Sequence, residues 1–335
     1  NPTNPKAMKL YENTYSGSYT VMPMALGATK VVVADDTDAE KIKGAGLWYQ
    51  WGRKDPLGRA SAWNNNGTVP VTVQANTLPD ENLKAGFTNS STFFTSKTDG
   101  VMNLISLADE MLKNGYTDSS TATAVNKDEV EQTIDGQKVM VTPERHMINK
   151  SVANPTMLVY IPSTTHFSNN WIGRQIDLLW GNPEGYNYPK MSQTYKSVFD
   201  PCPNGYRIVP KDIWINFLVD LTKSGNKYYF NVKGAFNKGY NMYYKGMGTT
   251  ELNNLGEAIA YVEPKDGLID FYICDGYRVA TQTGVVSGVG SSTTYWCSTP
   301  NGSAGGALGY WNTTLNVQHS YSRSYGLGIR CTKEN

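Results

Sequence analysis

The stretch FDPCPNGYRIVPKDIW, residues Phe199–Trp214, places a cysteine between two prolines and just ahead of a predicted helix. The prolines on either side of Cys202 hold the backbone extended and remove two N–H donors, and the Asn-Gly pair that follows is typical of a turn. Pro210 has the fixed φ that suits the first turn of a helix. The stretch therefore predicts a rigid bend that leads from a cysteine into a helix.

The segments that follow this bend predict a helix and a closing strand. Apolar residues recur at helical spacing from Ile213 to Leu221, and Ser224-Gly225-Asn226 can end such a helix. Near the other end, Cys331 lies in YGLGIRCT, whose alternation of apolar and small or polar residues predicts a half-buried strand. If Cys202 and Cys331 are bonded, everything between them forms one closed unit.

Composition and charge narrow the class of protein. The chain has 335 residues with 30 Lys+Arg against 29 Asp+Glu, net +1, and neither a basic run nor an acidic tail, which argues against nucleic acid or an anionic membrane as a partner. No apolar run is long enough to span a bilayer, so we expect no direct membrane insertion. Abundant glycine (32) and tyrosine (22) are typical of turns and strands with many surface aromatics.

The four cysteines fit two structural disulfides and an oxidising compartment, and no pair has the Cys-x-x-Cys spacing of zinc or redox sites. Their connectivity is open on sequence grounds alone. The first residues contain neither a Met start nor a signal-peptide pattern, so residues 1–21 are interpreted as an extension or the remnant of a preceding region. We read the whole as a secreted, loop-rich protein.

Two further segments carry local predictions. Val101 to Asn114 has apolar residues on one helical face and Gly115 at its end, which predicts a second helix. Residues 117–150, rich in Thr, Ser, Asp and Lys, are interpreted as a surface insertion. Within that insertion the Asp135-Gly136 pair predicts a β-hairpin.

Five ordered motifs resemble a known family. They are WYQWGRKDP (48–56), NPT (154–156), DPCPNGYR (200–207), YWCSTP (295–300) and GIRCTK (328–333). In this order they resemble the C-terminal domains of Bacteroides-type fimbrillins and the related FISUMP domain, from about Met22 onward. The resemblance implies an α+β chain with a C-type lectin-like fold over 22–335: twisted antiparallel sheets, two helices, long loops, and the two ends brought together.

The chain departs from the family pattern at two cysteines. The usual Tyr-Trp-Ser-Ser is Tyr295-Trp296-Cys297-Ser298 here, and Cys274 is an additional cysteine in the preceding strand. Together these departures suggest a nested disulfide, Cys274 to Cys297, inside an outer one, Cys202 to Cys331.

Catalysis and metal binding are not predicted, and no cofactor is expected. The three histidines are scattered, and no nucleophile elbow, metal-binding helix motif or phosphate loop occurs. The calcium ligands of sugar-binding C-type lectins are not reproduced, since Glu263-Pro264-Lys265 and Trp311-Asn312-Thr313 each lack a ligand. The run Asp35 to Glu40 also lacks the spaced carboxylates and glycine of a calcium loop.

Recognition is predicted in the segment from Asn301 to Arg323. Its glycine-rich start (302–307) is too poor in side chains to form core, and the residues after it combine flat aromatic faces with polar tips, a mixture typical of adaptable binding surfaces. The bland alternative is a sheet edge with its turns. The candidate ligand-binding residues are Ser303, Tyr310, Trp311, Asn312, Asn316, His319, Tyr321 and Arg323.

The resemblance implies a non-enzymatic adhesin domain at the tip of a fimbrium, exported to the outer-membrane surface or fimbrium of a Gram-negative bacterium. The expected partners are fimbrial stalk subunits and a host or bacterial surface glycan or protein. A disulfide-closed domain has no free donor strand for a following subunit, which favours a capping position. Two alternatives stay open: a retroelement-diversified lectin-fold binding protein, and a structural surface domain with no ligand.

Overall fold

The computed structural model describes residues 11–13, 17–19, 21–58, 104–116, 129–155, 157–161, 170–182, 195–215, 218–224, 227–230, 232–233, 238–243, 251–252, 258–259, 268–280, 284, 286–311 and 314–334. These residues form many short strands and a few helices, so the chain belongs to the mixed α and β class. The α-helices span Asp38–Lys41, Leu107–Lys113, Pro143–Ala153 and Lys211–Ile215, with a 3-10 turn at Ile42–Gly44.

The strands are β1 (Tyr11–Asn13), β2 (Gly17–Tyr19), β3 (Tyr49–Gln50), β4 (Leu104–Ser106), β5 (Val130–Ile134), β6 (Gln137–Val141), β7 (Leu158–Tyr160), β8 (Gly181–Asn182), β9 (Tyr195–Lys196), β10 (Tyr206–Ile208), β11 (Leu218–Ser224), β12 (Lys227–Phe230), β13 (Val232–Lys233), β14 (Gly239–Tyr243), β15 (Glu251–Leu252), β16 (Ala258–Ile259), β17 (Leu268–Ile273), β18 (Asp275–Arg278), β19 (Val286–Val289), β20 (Ser292–Asn301), β21 (Ala304–Trp311), β22 (Thr314–Tyr321), β23 (Gly326–Ile329) and β24 (Cys331–Lys333).

The largest sheet among the described residues has seven strands, six of which come from residues 275–329. Its order is β19-β18-β23-β20-β21-β22, with β3 added to β23. β20 runs parallel to β23 and antiparallel to β21, and its register with β21 shifts between Trp296 and Pro300. This bulge falls at Pro300, a residue that cannot donate to a strand ladder. β20 therefore connects the centre of the sheet with the hairpin that carries most of the predicted recognition segment.

The two ends of the described chain meet beside a disulfide. Cys202 and Cys331 are bonded, as predicted. β10 pairs antiparallel with β24, with Ile208 opposite Cys331. On the other side of β24, Val21 forms a bridge with Thr332, and the N–H of Met22 donates to the carbonyl of Cys331 at 2.8 Å. The disulfide and these backbone hydrogen bonds therefore lie side by side at β24 and hold Val21, β10 and β24 together.

The core contains several tryptophans, and the indole N–H groups of four of them donate to backbone carbonyls. Trp51 donates to Cys297 at 3.0 Å, Trp296 to Tyr49 at 2.7 Å, and Trp171 to Trp51 at 2.7 Å. Buried indoles need such acceptors because an unpaired N–H away from water is costly. The aromatic motif that begins at Trp48 is therefore interior, as its sequence predicts, and it links β3 to β20 through side chains.

The helix predicted after the Cys202 bend is shorter than expected. It ends at Ile215, and residues Leu218–Ser224 form β11, which pairs with β12. Ser224 lies opposite Lys227, so only Gly225 and Asn226 separate the strands, and these two residues lie outside the described part. Gly-Asn is a hairpin signal as well as a helix stop. The pairing of β11 with β12 shows that residues 218–224 are a strand rather than the end of the predicted helix.

The predicted second helix is confined to Leu107–Lys113. Its N-cap is Ser106, whose hydroxyl accepts the N–H of Asp109 at 3.2 Å. The residues before the cap form β4, which pairs in parallel with β7, while the predicted first residues, 101–103, lie outside the described part. The side-chain cap thus fixes the boundary between strand and helix.

The region predicted as a surface insertion contains both the hairpin and an unpredicted helix. β5 and β6 form the hairpin, with Asp135 and Gly136 at φ of 51° and 77°. Thr142 then caps the helix Pro143–Ala153 by accepting the N–H of Arg145 at 3.4 Å. Val141 and Met147 are fully buried, so this region contributes to the core as well as to the surface. Residues 117–128 lie outside the described part.

The predicted second disulfide is not formed, since Cys274 and Cys297 are separate, buried thiols. β18 and β20 run parallel with Gly276 opposite Thr293, which places Cys274 level with Ser291. Six residues separate that level from Cys297, about 20 Å at roughly 3.3 Å per residue. A disulfide needs Cα atoms within about 7 Å, so this register keeps the two thiols apart.

Among the described ranges, no helix combines the length and apolar character needed to cross a bilayer.

Candidate ligand-binding surface

The predicted recognition residues separate into three groups. Ser303 is exposed in the tight turn between β20 and β21. Tyr310 and Trp311 lie in β21 and Asn316 in β22, but their side chains are outside the described part, as is the whole of Asn312. The remaining three, His319, Tyr321 and Arg323, have described side chains and are treated in turn below.

The second half of the glycine-rich start, residues 305–307, is core, which corrects the expectation that this part leaves the backbone open. Gly305, Gly306 and Ala307 are buried. A Cβ on Gly305 would lie 2.5 Å from Cδ1 of Trp51 and 2.8 Å from Cζ3 of Trp296. The absence of a side chain at this position lets β21 approach both indoles, so here glycine serves close packing.

Arg323 is also buried, which corrects its predicted role as an exposed recognition residue. Its Nη1 donates to the carbonyl of Ile176 at 2.7 Å, and its Nη2 pairs with the carboxylate of Asp177 and donates to the carbonyl of Gly302 at 3.2 Å. The guanidinium lies 4.2 Å from the ring centre of Trp51. Arg323 therefore holds the β20–β21 turn against the interior.

His319 and Tyr321 belong to a partly exposed group of aromatic side chains. We define the tyrosine cluster as Tyr277, Tyr321 and Tyr325, all half-buried. Ring centres lie 5.7 Å apart for Tyr277 and Tyr321, 5.4 Å for Tyr321 and Tyr325, and 6.2 Å for Tyr277 and Tyr325. His319 meets Tyr321 edge to face at 4.5 Å. Three strands or their connections thus bring four rings together.

The cluster rests on the core rather than on a mobile loop. Trp296, fully buried, packs edge to face against Tyr321 at 6.4 Å. Tyr321 lies opposite Gly305 and His319 lies opposite Ala307, so small residues on β21 leave room beside the two rings. Fixed rings lose little conformational entropy when they bind a partner, which favours their use as contact surfaces.

Burial controls the protonation of these rings. It raises the pKa of Tyr321, with the neighbouring Tyr277 and Tyr325 adding to the effect, and it raises the pKa of Tyr325 in the same way. Burial also lowers the pKa of His319. At neutral pH the phenols of Tyr321 and Tyr325 are therefore protonated and the imidazole is neutral, so these rings combine apolar faces with uncharged hydrogen-bonding tips.

A small cleft adjoins the cluster at His319. We call it the His319 cleft; its volume is about 120 Å³. It is lined by Lys211, Cys297, Thr299, Pro300, Asn301, Gly306, Ala307 and His319. The hydroxyl of Thr299 accepts the backbone N–H of Lys211 at 3.1 Å, which ties the short Lys211–Ile215 helix to β20. His319 lines the cleft, and its ring contacts Tyr321 of the tyrosine cluster.

The side chains that line the cleft can make polar contacts with a ligand. The Cys297 thiol is engaged with the carbonyl of Thr299 at 3.4 Å. Among the described residues, no group of three or more His, Cys, Asp or Glu side chains is arranged to hold a metal ion. The arrangement offers hydroxyl, amide, imidazole and ammonium groups at one wall and aromatic faces beyond it.

Of six residues of this surface, sequence reasoning found two. His319 and Tyr321 were predicted, whereas Tyr277, Tyr325, Lys211 and Thr299 were not. Tyr277 and Tyr325 lie in short strands or turns of other motifs, and only the pairing of β18 with β23 and the β22–β23 connection bring them to Tyr321. Lys211 and Thr299 are 88 positions apart in sequence. No local sequence pattern predicts a contact between residues so far apart in the chain.

No protein-family model, curated protein or solved structure matches the chain.

Proposed function

We propose that this chain is a cell-surface adhesin domain of the fimbrial-tip type, with a C-type lectin-like fold, that binds a glycan or protein ligand without catalysis. The observation that carries this proposal is the tyrosine cluster, three half-buried phenol rings held together on a sheet, with the His319 imidazole beside it. Rings of this kind are enriched where one molecule recognises another, because they give contact area at low entropic cost.

The geometry favours a binding surface over a purely structural one. A ring needed only for packing gains most by complete burial, as with the core indoles, whereas Tyr277, Tyr321 and Tyr325 each keep part of their surface in solvent. The adjoining cleft adds polar groups beside the rings. Apolar faces next to a few polar groups are the usual composition of ligand sites.

The disulfide supports the proposed location outside the cell, since such bonds persist in oxidising compartments. The pairing of β24 supports the proposed place at a fimbrial tip. One edge of β24 is bonded to β10 and the other meets Val21. A strand whose two edges are occupied is not available for donation to a neighbouring subunit. In this proposal fimbrial stalk subunits are partners on one side only.

The proposal is tested by ligand capture with cluster variants. The wild type is applied to a glycan array and to immobilised host surface proteins, and the best binder is then measured with Tyr277→Ala and Tyr321→Phe. We expect Tyr277→Ala to weaken binding at least roughly 10-fold, the effect of losing about 1.4 kcal/mol of contact energy. Tyr321→Phe keeps the ring and is expected to weaken binding less.

The matched control is Tyr195→Ala, which removes an exposed tyrosine from β9, outside the cluster. Circular dichroism and thermal melting establish that each variant is folded. Equal binding by wild type, Tyr277→Ala and Tyr195→Ala would move the site away from the cluster. Absence of any ligand on both arrays would favour a structural surface domain.

A further inference from the structure

We propose that the His319 cleft is a subsite for the carboxylate of an acidic sugar, with the Lys211 ammonium as its cationic partner and the tyrosine cluster holding the sugar ring. This inference rests on the proposed function, because it assigns a ligand class to the same surface. It goes beyond that function by specifying the charge and chemical group that the surface selects.

The size of the cleft sets what it can hold. Its volume of about 120 Å³ lies well below the roughly 300–1,000 Å³ of pockets that enclose a whole small-molecule ligand. A carboxylate, with two oxygens on one carbon, fits such a space, whereas a pyranose with its hydroxyl groups does not. The rest of the ligand must therefore extend over the adjoining surface, which is the tyrosine cluster.

The charge of the residues that line the cleft favours a negatively charged group there. Among the described residues that line the cleft, Lys211 supplies the one formal charge, and none is a carboxylate. Burial lowers the pKa of His319, so the imidazole is neutral at pH 7 and leaves the charge of the cleft to Lys211. An anion gains a charge-assisted contact here, and a cation would be repelled.

Uncharged groups complete the set of contacts. Thr299 already accepts the Lys211 backbone N–H with its hydroxyl, and a hydroxyl oxygen that accepts can donate its own proton to another acceptor. Asn301 also lines the cleft. The carbonyl of the next residue, Gly302, is held by Arg323 and by the side-chain amide of Gln175 at 3.1 Å, so the chain beside Asn301 is fixed in place.

The neighbouring rings identify the rest of the ligand. His319 forms one wall of the cleft and touches Tyr321 at 4.5 Å between ring centres, so a group seated in the cleft has its next atoms beside the cluster. Pyranose rings present C–H faces that pack on aromatic rings and hydroxyls that bond to phenols. Uronic and sialic acids meet both requirements, because each has a carboxylate attached directly to a pyranose ring.

The test compares sugars that differ only in the acid. Methyl glucuronide is measured against methyl glucoside, and the methyl glycoside of N-acetylneuraminic acid against its methyl ester, by calorimetry or saturation-transfer NMR at low salt. We expect at least one acid to bind roughly 10-fold more tightly than its uncharged counterpart, and the preference to fall as salt rises. The two pairs distinguish a uronic-acid source from a sialic-acid source.

Three variants assign the preference to the cleft. Lys211→Gln is expected to abolish the difference between acid and neutral sugar, Lys211→Arg to retain it, and Lys113→Gln, which removes an exposed lysine from another helix, to leave it unchanged. Thermal melting establishes that the variants are folded. Tyr277→Ala is expected to weaken acid and neutral sugar alike.

The outcomes separate this inference from the proposed function. Equal binding of acid and neutral sugars, weakened by Tyr277→Ala, would overturn the carboxylate subsite and leave the ligand-binding surface standing. An acid preference that survives Lys211→Gln would overturn the assignment of the subsite to this cleft. Binding of none of the four probes would also overturn the inference, while glycan-array binding sensitive to Tyr277→Ala would still support the proposed function.

Discussion

Gly305 lies in a buried strand, although the sequence around it predicts an open loop. In the sequence it lies in a Gly-Ser-Ala-Gly-Gly-Ala run that is typical of an open loop. In the fold it is a strand residue opposite Tyr321, with the indoles of Trp51 and Trp296 against its Cα. Removal of the side chain is what allows β21 to close on two large rings.

Gly305→Ala is therefore expected to destabilise the protein. The added Cβ would approach both indoles within 2.8 Å, and neither buried ring has space to withdraw. Overpacking of this kind costs about 1–3 kcal/mol. Urea denaturation measures the loss. Ser303→Ala, an exposed change two residues away, is the control and is expected to leave the midpoint unchanged; equal midpoints for both variants would contradict the packing described.

At the scale of elements, Asp200 organises the bend between β9 and β10. Its carboxylate accepts the N–H of Cys202 at 2.8 Å and the N–H of Ile208 at 2.9 Å, and Lys196 lies 3.3 Å away. Burial is the largest influence on the pKa of Asp200 and raises it, although these donors act in the opposite direction. One side chain therefore fixes the cysteine and the start of the closing strand pair.

Asp200→Ala is expected to lower the free energy of unfolding by about 2–6 kcal/mol, because it leaves two buried N–H groups without their acceptor and each such loss costs about 1–3 kcal/mol. Urea denaturation followed by tryptophan fluorescence gives the value. The two N–H groups bond to different carboxylate oxygens, so Asp200→Asn keeps an acceptor for one of them, and its loss is expected to be smaller than that of Asp200→Ala. A larger loss for Asn than for Ala would refute the role given to these hydrogen bonds.

At the scale of the whole molecule, one covalent bond closes most of the C-terminal half. Cys202 and Cys331 are 129 positions apart in sequence. Between them lie β10 to β23, including six strands of the seven-stranded sheet and the whole proposed ligand surface. The β10–β24 pair, which this bond fastens, also receives Val21 from the other end of the described chain.

The double variant Cys202→Ala/Cys331→Ala is expected to lose roughly 5 kcal/mol of stability in the loop-entropy account, since the unfolded chain regains the freedom of a long loop. Urea denaturation of the two proteins, each with and without reductant, provides the measurement. Reductant is expected to destabilise the wild type and to have no effect on the double variant. A wild type indifferent to complete reduction would show that the bond contributes no stability.

The sequence by itself determined the local features whose causes lie within a few residues. The bend at Cys202, the hairpin at Asp135-Gly136 and the interior position of the Trp48 motif follow from fixed φ angles, turn chemistry and apolar surface. The mixed α and β content was expected from the family resemblance, and the structure confirms it at that level. The pairing of Cys202 with Cys331 was also correctly expected.

Tertiary structure alone decided what depends on register and on neighbours distant in sequence. The parallel register of β18 and β20 separates Cys274 from Cys297, and packing against two indoles turns a glycine run into core. The sequence alone predicts that Arg323 is a surface cation, whereas in the fold it is enclosed by Ile176 and Trp51 from distant parts of the chain. The tyrosine cluster likewise exists only because strand pairing gathers rings from separate motifs. Local sequence specifies backbone preference, but the contact energies that place these side chains arise only when remote segments meet.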